Sequence, residues 1–344
     1  MLEPNLKHTL WAKDSSPPSD SPVLLWNSFG FESQHPESIS LPTFIEKHAD
    51  EIRSRLLLFL CNAKFVSDGR TSLEDALVAP EGLSTWWLSF PSLKQWGKRQ
   101  SIPIACRLIA IELIVGSAGL KHLLVETEDS NLRELIQRVI QSRSTPVHRV
   151  RRWLYRNILH PLRALGSLIR YIRETSCIPR NSNMNVSNAD MKFAFFNYFG
   201  GSESDLDNVS TYRSPYWGDA PQLANDPDWY HIYPRNVDQQ GVRGTLEAIN
   251  QLNSRNRISH HLFLGRLSLQ DVLSIAQNYL SQRSVHRRFR SSLTDFKLKD
   301  SGLALWHVFE DEWDDSIIGS TALRHLVLLR TTDQLVQNIP RYSK

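Results

Sequence analysis

A chain of 344 residues, 41% of them hydrophobic and with a formal net charge of +4, is long enough for two globular domains, and its overall charge, though unevenly placed, is too small to demand a polyanionic partner. Its three cysteines, Cys61, Cys106 and Cys177, are odd in number and form no Cys-x-x-Cys pair, which argues against a disulfide framework or zinc site and for a reducing compartment. The polar N-terminus has no apolar signal core and no run approaches the ~20 apolar residues of a membrane span, so a cytoplasmic protein is expected.

Residues 1–21, which include Ser15-Ser16-Pro17-Pro18-Ser19, read as a flexible lead-in. Val23-Leu24-Leu25-Trp26 has the length of a buried strand. Ser40 and Pro42 then open a helix expected to reach Leu60, with Phe44, Ile45, Ile52 and Leu56 on its apolar side. Pro103 starts another helix, with Ile104, Leu108, Ile111 and Val115 spaced for burial. It should end at Gly116, where glycine accepts a left-handed conformation. A strand over 122–125 and a helix capped by Ser130, with Leu132, Leu135, Ile136 and Val139 on one face, complete a first α/β unit over 22–142.

Residues 143–190 form a basic amphipathic helix and linker. Between Arg143 and Arg173 there are eight arginines and no acidic residue. Leu154, Ile158, Leu162, Leu165, Ile169 and Ile172 share one stripe of a 3.6-residue helix, and Arg152, Arg156, Arg163 and Arg170 fall nearly opposite. Such a helix can lie on an anionic membrane, each basic residue contributing on the order of 1 kcal/mol. The plainer reading is an interdomain helix whose stripe packs inward while its arginines are solvated. Nucleic acid is an unfavoured partner, since no reader motif accompanies the charge.

After Pro179-Arg180-Asn181-Ser182-Asn183, a second α/β unit is expected over 191–344. Strand-like runs at 192–198, 229–233 and 260–264 alternate with helical segments at 244–252 and 268–280, a pattern that favours a parallel sheet. Gly319-Ser320 opens a last helix, with Leu323, Leu326, Val327 and Leu335 on its apolar side.

Two aromatic clusters stand out from this pattern. They are Leu83-Ser84-Thr85-Trp86-Trp87-Leu88-Ser89 and Tyr212-Arg213-Ser214-Pro215-Tyr216-Trp217-Gly218. With Met191 to Phe199, Trp229-Tyr230-His231-Ile232-Tyr233, Trp306, Asp311 to Ser316 and Gly319-Ser320-Thr321-Ala322, they give the chain its likeness to a known family. From about Leu24 to Pro340 it resembles bacterial surface carbohydrate biosynthesis proteins, a family of sugar transferases. The resemblance implies part of a GT-B-type glycosyltransferase, in which two Rossmann-like α/β units face each other. It also implies a nucleotide-sugar donor, a glycan or lipid-linked acceptor, and a donor-binding unit beyond the equivalent of Pro340. On that expectation this chain is the acceptor side of a longer enzyme, and alone it transfers sugar poorly. A non-catalytic binding module of a glycan assembly complex is the alternative.

No catalytic residue can be named from the sequence. The loop Gly200-Gly201 follows a strand, where open α/β sheets bind ligands, although a plain turn serves as well. Tyr216 and Trp217 offer a stacking face and Arg213 a charge for phosphate. Trp86 and Trp87 point in different directions on any regular element, so at most one meets ligand. Asp205-Leu206-Asp207 and Asp226-Pro227-Asp228 match an Asp-x-Asp metal-nucleotide spacing but sit among turn residues, and no metal site is expected. His260-His261 would send its side chains to opposite faces of a strand. Glu310-Asp311-Glu312 with Asp314-Asp315 reads as a solvated acidic turn. P-loop, dinucleotide and nucleophile-elbow signatures are missing.

Overall fold

Short parallel strands organise the N-terminal part of the chain. The computed structural model describes residues 9–13, 15, 17, 23–29, 38–93, 100–141, 146–176, 178, 194–198, 228–232, 241–255, 260–263 and 266–338. Strands β1 (Thr9–Ala12), β2 (Val23–Leu25), β3 (Ile39–Ser40) and β4 (Leu124–Thr127) form a four-stranded sheet in the order β3-β2-β1-β4. Every pairing is parallel, with Leu10 opposite both Leu24 and Val125. The lead-in expected to be flexible therefore supplies an inner strand. Its short Thr-Leu-Trp-Ala run has one fully buried side chain, Leu10, and that residue is enough to seat it between two neighbours.

Helices cover this sheet. The expected helix from Ser40 is two, α1 (Leu41–Lys47) and α2 (Ala49–Ala63), broken at His48. Ser40 caps α1 by accepting from the Thr43 N–H at 3.2 Å. Short turns α3 (Leu73–Ala76) and α4 (Phe90–Leu93) follow, then α5 (Ser101–Gly119). Helix α5 is apolar on more than one side. Ala105, Leu108, Ile109, Ala110 and Ile111 are all buried, as suits a helix enclosed within a core. The helix kinks at Gly116, whose φ of 68° is the left-handed value expected there.

Next come α6 (Ser130–Gln141), α7 (Pro146–Leu154), a π-turn over Tyr155–Leu159 and α8 (His160–Thr175). The region beyond holds β5 (Ala194–Tyr198), β6 (Asp228–Ile232), α9 (Gly241–Arg255) and β7 (His260–Phe263). Three long helices follow, α10 (Leu269–Thr294), α11 (Trp306–Ile318) and α12 (Ser320–Asn338). The second sheet is β5-β6-β7, again wholly parallel, and Ala248, Ile249 and Leu252 of α9 cluster with Leu262 of β7.

The chain divides into two compact units. The first is Met1–Ala164 with Tyr279–Ala322, and the second is Leu165–Asn278 with Leu323–Lys344. This differs from the expected partition at 142 and 191, because residues 279–322 return to complete the first core. Phe289, Leu293, Trp306, Phe309, Trp313 and Ile317 join Ile52, Leu56, Phe59 and the α5 side chains in one buried cluster. In the second unit, Ser268 and Asp271 form a reciprocal cap at the start of α10. Asp271 Oδ2 accepts from the Ser268 N–H at 2.9 Å, and Ser268 Oγ accepts from the Asp271 N–H at 3.1 Å. Arg330 Nε donates to the other oxygen of Asp271 at 2.8 Å. Among the described residues no helix is long and apolar enough to cross a membrane.

Candidate functional site

Beyond the carboxyl end of β4, the first unit contains a cavity of about 510 Å³. In the strand order β3-β2-β1-β4 the chain adds strands on one side of β1 and then returns to the other, and ligands of open α/β sheets gather where that reversal leaves a crevice. Asp129 marks the entry to α6. Its Oδ1 accepts from the N–H groups of Asn131 and Leu132 at 2.8 and 3.2 Å, so Asp129, rather than Ser130, caps the helix. From α6 the cavity takes Asn131, Glu134 and Arg138; from α7 and the π-turn it takes Arg151, Arg152 and Tyr155. His160 lines it from the start of α8, and His307, Asp311 and Asp314 line it from α11.

One wall is a buried ionic ladder. Glu310 and Asp314 are four residues apart on α11 and therefore share a face. Arg152 meets Glu310 from α7, and Arg156 meets both carboxylates from the π-turn. Arg156 donates to Glu310 Oε1 and to Asp314 Oδ2, and Arg138 donates to Glu310 Oε2. Arg152 adds contacts of 3.2 Å to Glu310 and 3.4 Å to Glu134. His286 Nε2 lies 2.7 Å from Asp314 Oδ1, and since a carboxylate accepts, that nitrogen carries the proton.

Burial opposes ionisation of Glu310, but His307 and the Arg156, Arg138 and Arg152 charges outweigh it and hold its carboxyl well below the ordinary range. The guanidinium charges are the firmer causes. His307 Nδ1, at 3.4 Å from Glu310, is also 2.9 Å from Arg138, which can only donate, so the nitrogen is already accepting.

Two groups facing the cavity are shifted toward their neutral forms. Asp311 is exposed on the cavity wall, yet the protein crowded around its carboxyl and the nearby charges of Asp314 and Glu310 raise its pKa. His160 is nine-tenths buried, and burial lowers its pKa despite the acidic side chains around it. Its Nδ1 has no hydrogen-bond partner among the described residues. The site thus offers a neutral imidazole and a carboxyl that takes up a proton more readily than usual, a pairing suited to proton transfer.

Trp86 belongs elsewhere. It is sealed in the core of the first unit, 1% exposed, with its ring 5.7 Å from that of Trp313, which in turn lies 5.5 Å from Trp306. Ser84 and the 3₁₀ turn Thr85–Leu88 put it there, so of the two candidate binding tryptophans Trp86 is the one that packs in the core. Trp87 stays 46% exposed with Lys64 Nζ 4.8 Å above its ring. Gly200, Gly201, Arg213, Tyr216 and Trp217 lie outside the described residues, as do Asp205 and Asp207.

The expectation for the basic helix is also corrected. Arg152 and Arg156 are committed to carboxylates in the first unit and cannot face a bilayer, whereas Arg163 and Arg170 are exposed. The π-turn explains the split, because one extra residue in a turn rotates the rest of the helix by about 100°. The acidic segment at 310–315 is a helix with two buried carboxylates, not a solvated turn. Its legible signal was Glu310 and Asp314 at i, i+4 among Phe309, Trp313 and Ile317. Among the described residues no group of three or more His, Cys, Asp or Glu is placed to hold a metal ion. No family model, curated protein or solved structure matches the chain.

Proposed function

We propose that this protein handles sugars in surface carbohydrate biosynthesis, at the cytoplasmic face of a membrane, and that the first-unit cavity receives the acceptor sugar. The observation that carries the reading is the composition of the cavity wall. Arg138, Arg151 and Arg152 face Asp129, Glu134, Asp311 and Asp314, so the lining is no simple trap for anions. Sugar hydroxyls donate and accept at once, and alternating carboxylates and guanidinium groups match them. Tyr155 adds an aromatic surface.

In glycosyl transfer the acceptor oxygen bonds to the sugar C1 as the bond from C1 to the phosphate oxygen breaks. The hydroxyl proton passes to a base and the nucleoside diphosphate leaves with the electron pair. Asp311 and His160 are the proton acceptors we assign. The donor nucleotide-sugar and the GT-B-type arrangement come from the resemblance. Arg213, Tyr216 and Trp217, with Gly200 and Gly201, remain the proposed binding surface of the second unit.

The test is a titration of the whole chain with hexoses and N-acetylhexosamines. Asp311→Asn should weaken binding about tenfold, as expected for one hydrogen bond to a charged group. Equal affinity in the folded variant would remove Asp311 from the site.

A further inference from the structure

The stripe expected to pack inward faces solvent. Leu162, Leu165 and Ile169 of α8 are 60%, 52% and 57% exposed, and Ile172 is exposed with them. The helix instead turns Ala164, Leu168, Tyr171 and Thr175 inward. Trp153, Leu154 and Ile158, at the end of α7 and in the π-turn, are exposed as well. An exposed apolar row of this length on one helix marks a contact site.

Its border says what the contact is. Arg163, Arg170 and Arg173 are exposed on α8; Arg163 and Arg170 fall about 100° round the helix from Leu162 and Ile169, and Arg173 lies one turn beyond Ile169. On a helix, residues seven apart fall almost in line, so Leu162 and Ile169 form one line and Arg163 and Arg170 a parallel one. Arg163 is steadied by the Tyr155 ring, 5.7 Å from its guanidinium carbon. An anionic bilayer meets both halves of the face. Acyl chains take the leucine row and headgroup phosphates take the arginines.

We infer that α8 lies in the surface of an anionic membrane, with Leu162, Leu165 and Ile169 immersed and Arg163, Arg170 and Arg173 on the headgroups. This rests on the membrane part of the proposed function and is independent of which sugar the cavity takes. Arg152 and Arg156 have no share in it.

The experiment is flotation of the whole chain with phosphatidylcholine vesicles containing or lacking about 30 mole per cent of phosphatidylglycerol, a content that gives a strongly negative surface. Binding should require the anionic lipid and weaken with salt. Replacing Arg163, Arg170 and Arg173 together by Ser should lower the partition coefficient on the order of 100-fold, since each basic residue near the surface is worth about fivefold. Leu165→Asn with Ile169→Asn should lower it by about tenfold or more, through lost apolar immersion. All altered side chains are exposed, and circular dichroism checks that the variants fold. Absence of flotation, or equal flotation by either variant, overturns the inference. So does concentration-dependent dimerisation that Ile169→Asn abolishes, because the occupant would then be a second copy of the chain. Leu165 and Ile169 do not line the cavity, so sugar affinity, measured without lipid, is unaffected by the Leu165→Asn, Ile169→Asn pair, and a failure here is separable from failure of the sugar site.

Discussion

Replacing Glu310 by Gln keeps the side-chain volume and removes the charge that Arg138, Arg152 and Arg156 share. Arg156 would keep Asp314 and Arg152 would keep Glu134, but Arg138 would lose the carboxylate it donates to. Breaking a buried ion pair by removing one partner costs about 3–5 kcal/mol, and the surviving partners place this case at the lower end. That is a large share of the ~5–15 kcal/mol that keeps a domain folded. Urea unfolding followed by tryptophan fluorescence is a suitable assay, since Trp86, Trp306 and Trp313 are all buried in the same unit. A double change, Glu310→Leu with Arg156→Met, should cost less than the sum of its single changes, with coupling of about 1–3 kcal/mol. The pH dependence has a defined sign. Because the Glu310 pKa is depressed, its stabilisation is complete above the ordinary value of 4.5 and is lost as pH falls through the folded value. The Gln variant should lack that acid-dependent part. A cost below about 1 kcal/mol, with an unchanged acid profile, would refute the ladder as a structural element.

Trp86→Ala should destabilise the first unit by about 3–5 kcal/mol, while Trp87→Ala should stay within about 0.5–1 kcal/mol; comparable losses in denaturant would contradict their different burial. In the second unit, Asp271 is partly opposed by burial but held down to about 2 by Ser268 and Arg330. Its stabilising effect should therefore be complete above pH 3.8, its ordinary value, and fade as pH falls through about 2. Hydrogen exchange across the first turns of α10, measured between pH 5 and 2, roughly, reads this directly, and no difference between wild type and Asp271→Asn would contradict it.

Much of the α/β pattern was legible because strand and helix periods differ. The runs at 192–198, 229–233 and 260–264 meet observed strands within two residues, roughly, and Gly116 bends its helix as a left-handed glycine should. Thr9–Ala12 was hidden because a four-residue strand with one buried side chain has almost no pattern of its own and is ordered by its neighbours. The basic helix misled for a different reason. A 3.6-residue wheel assumes one continuous phase, and the π-turn at 155–159 breaks it, sending Arg156 inward and Arg163 outward. Even the sense of burial was inverted, since the leucine row is exposed. For the site, Arg152 and Arg156 were visible as charge, but their partners at Glu310 and Asp314 are remote in sequence, with a separation of 158 residues between Arg156 and Asp314. No local rule joins them.

Whether the first-unit cavity binds a sugar through its wall of mixed charge is decided most directly by saturation-transfer NMR on the whole chain. Glucose, galactose and N-acetylglucosamine serve as probes, and neither a donor nor a membrane is needed. Transfer should appear to at least one of these sugars, and replacing Tyr155 by Ala should weaken its affinity about tenfold, the equivalent of about 1.4 kcal/mol for a lost aromatic face. No transfer to any of the three sugars by the folded chain, or the same affinity in Tyr155→Ala, would contradict sugar binding at this cavity.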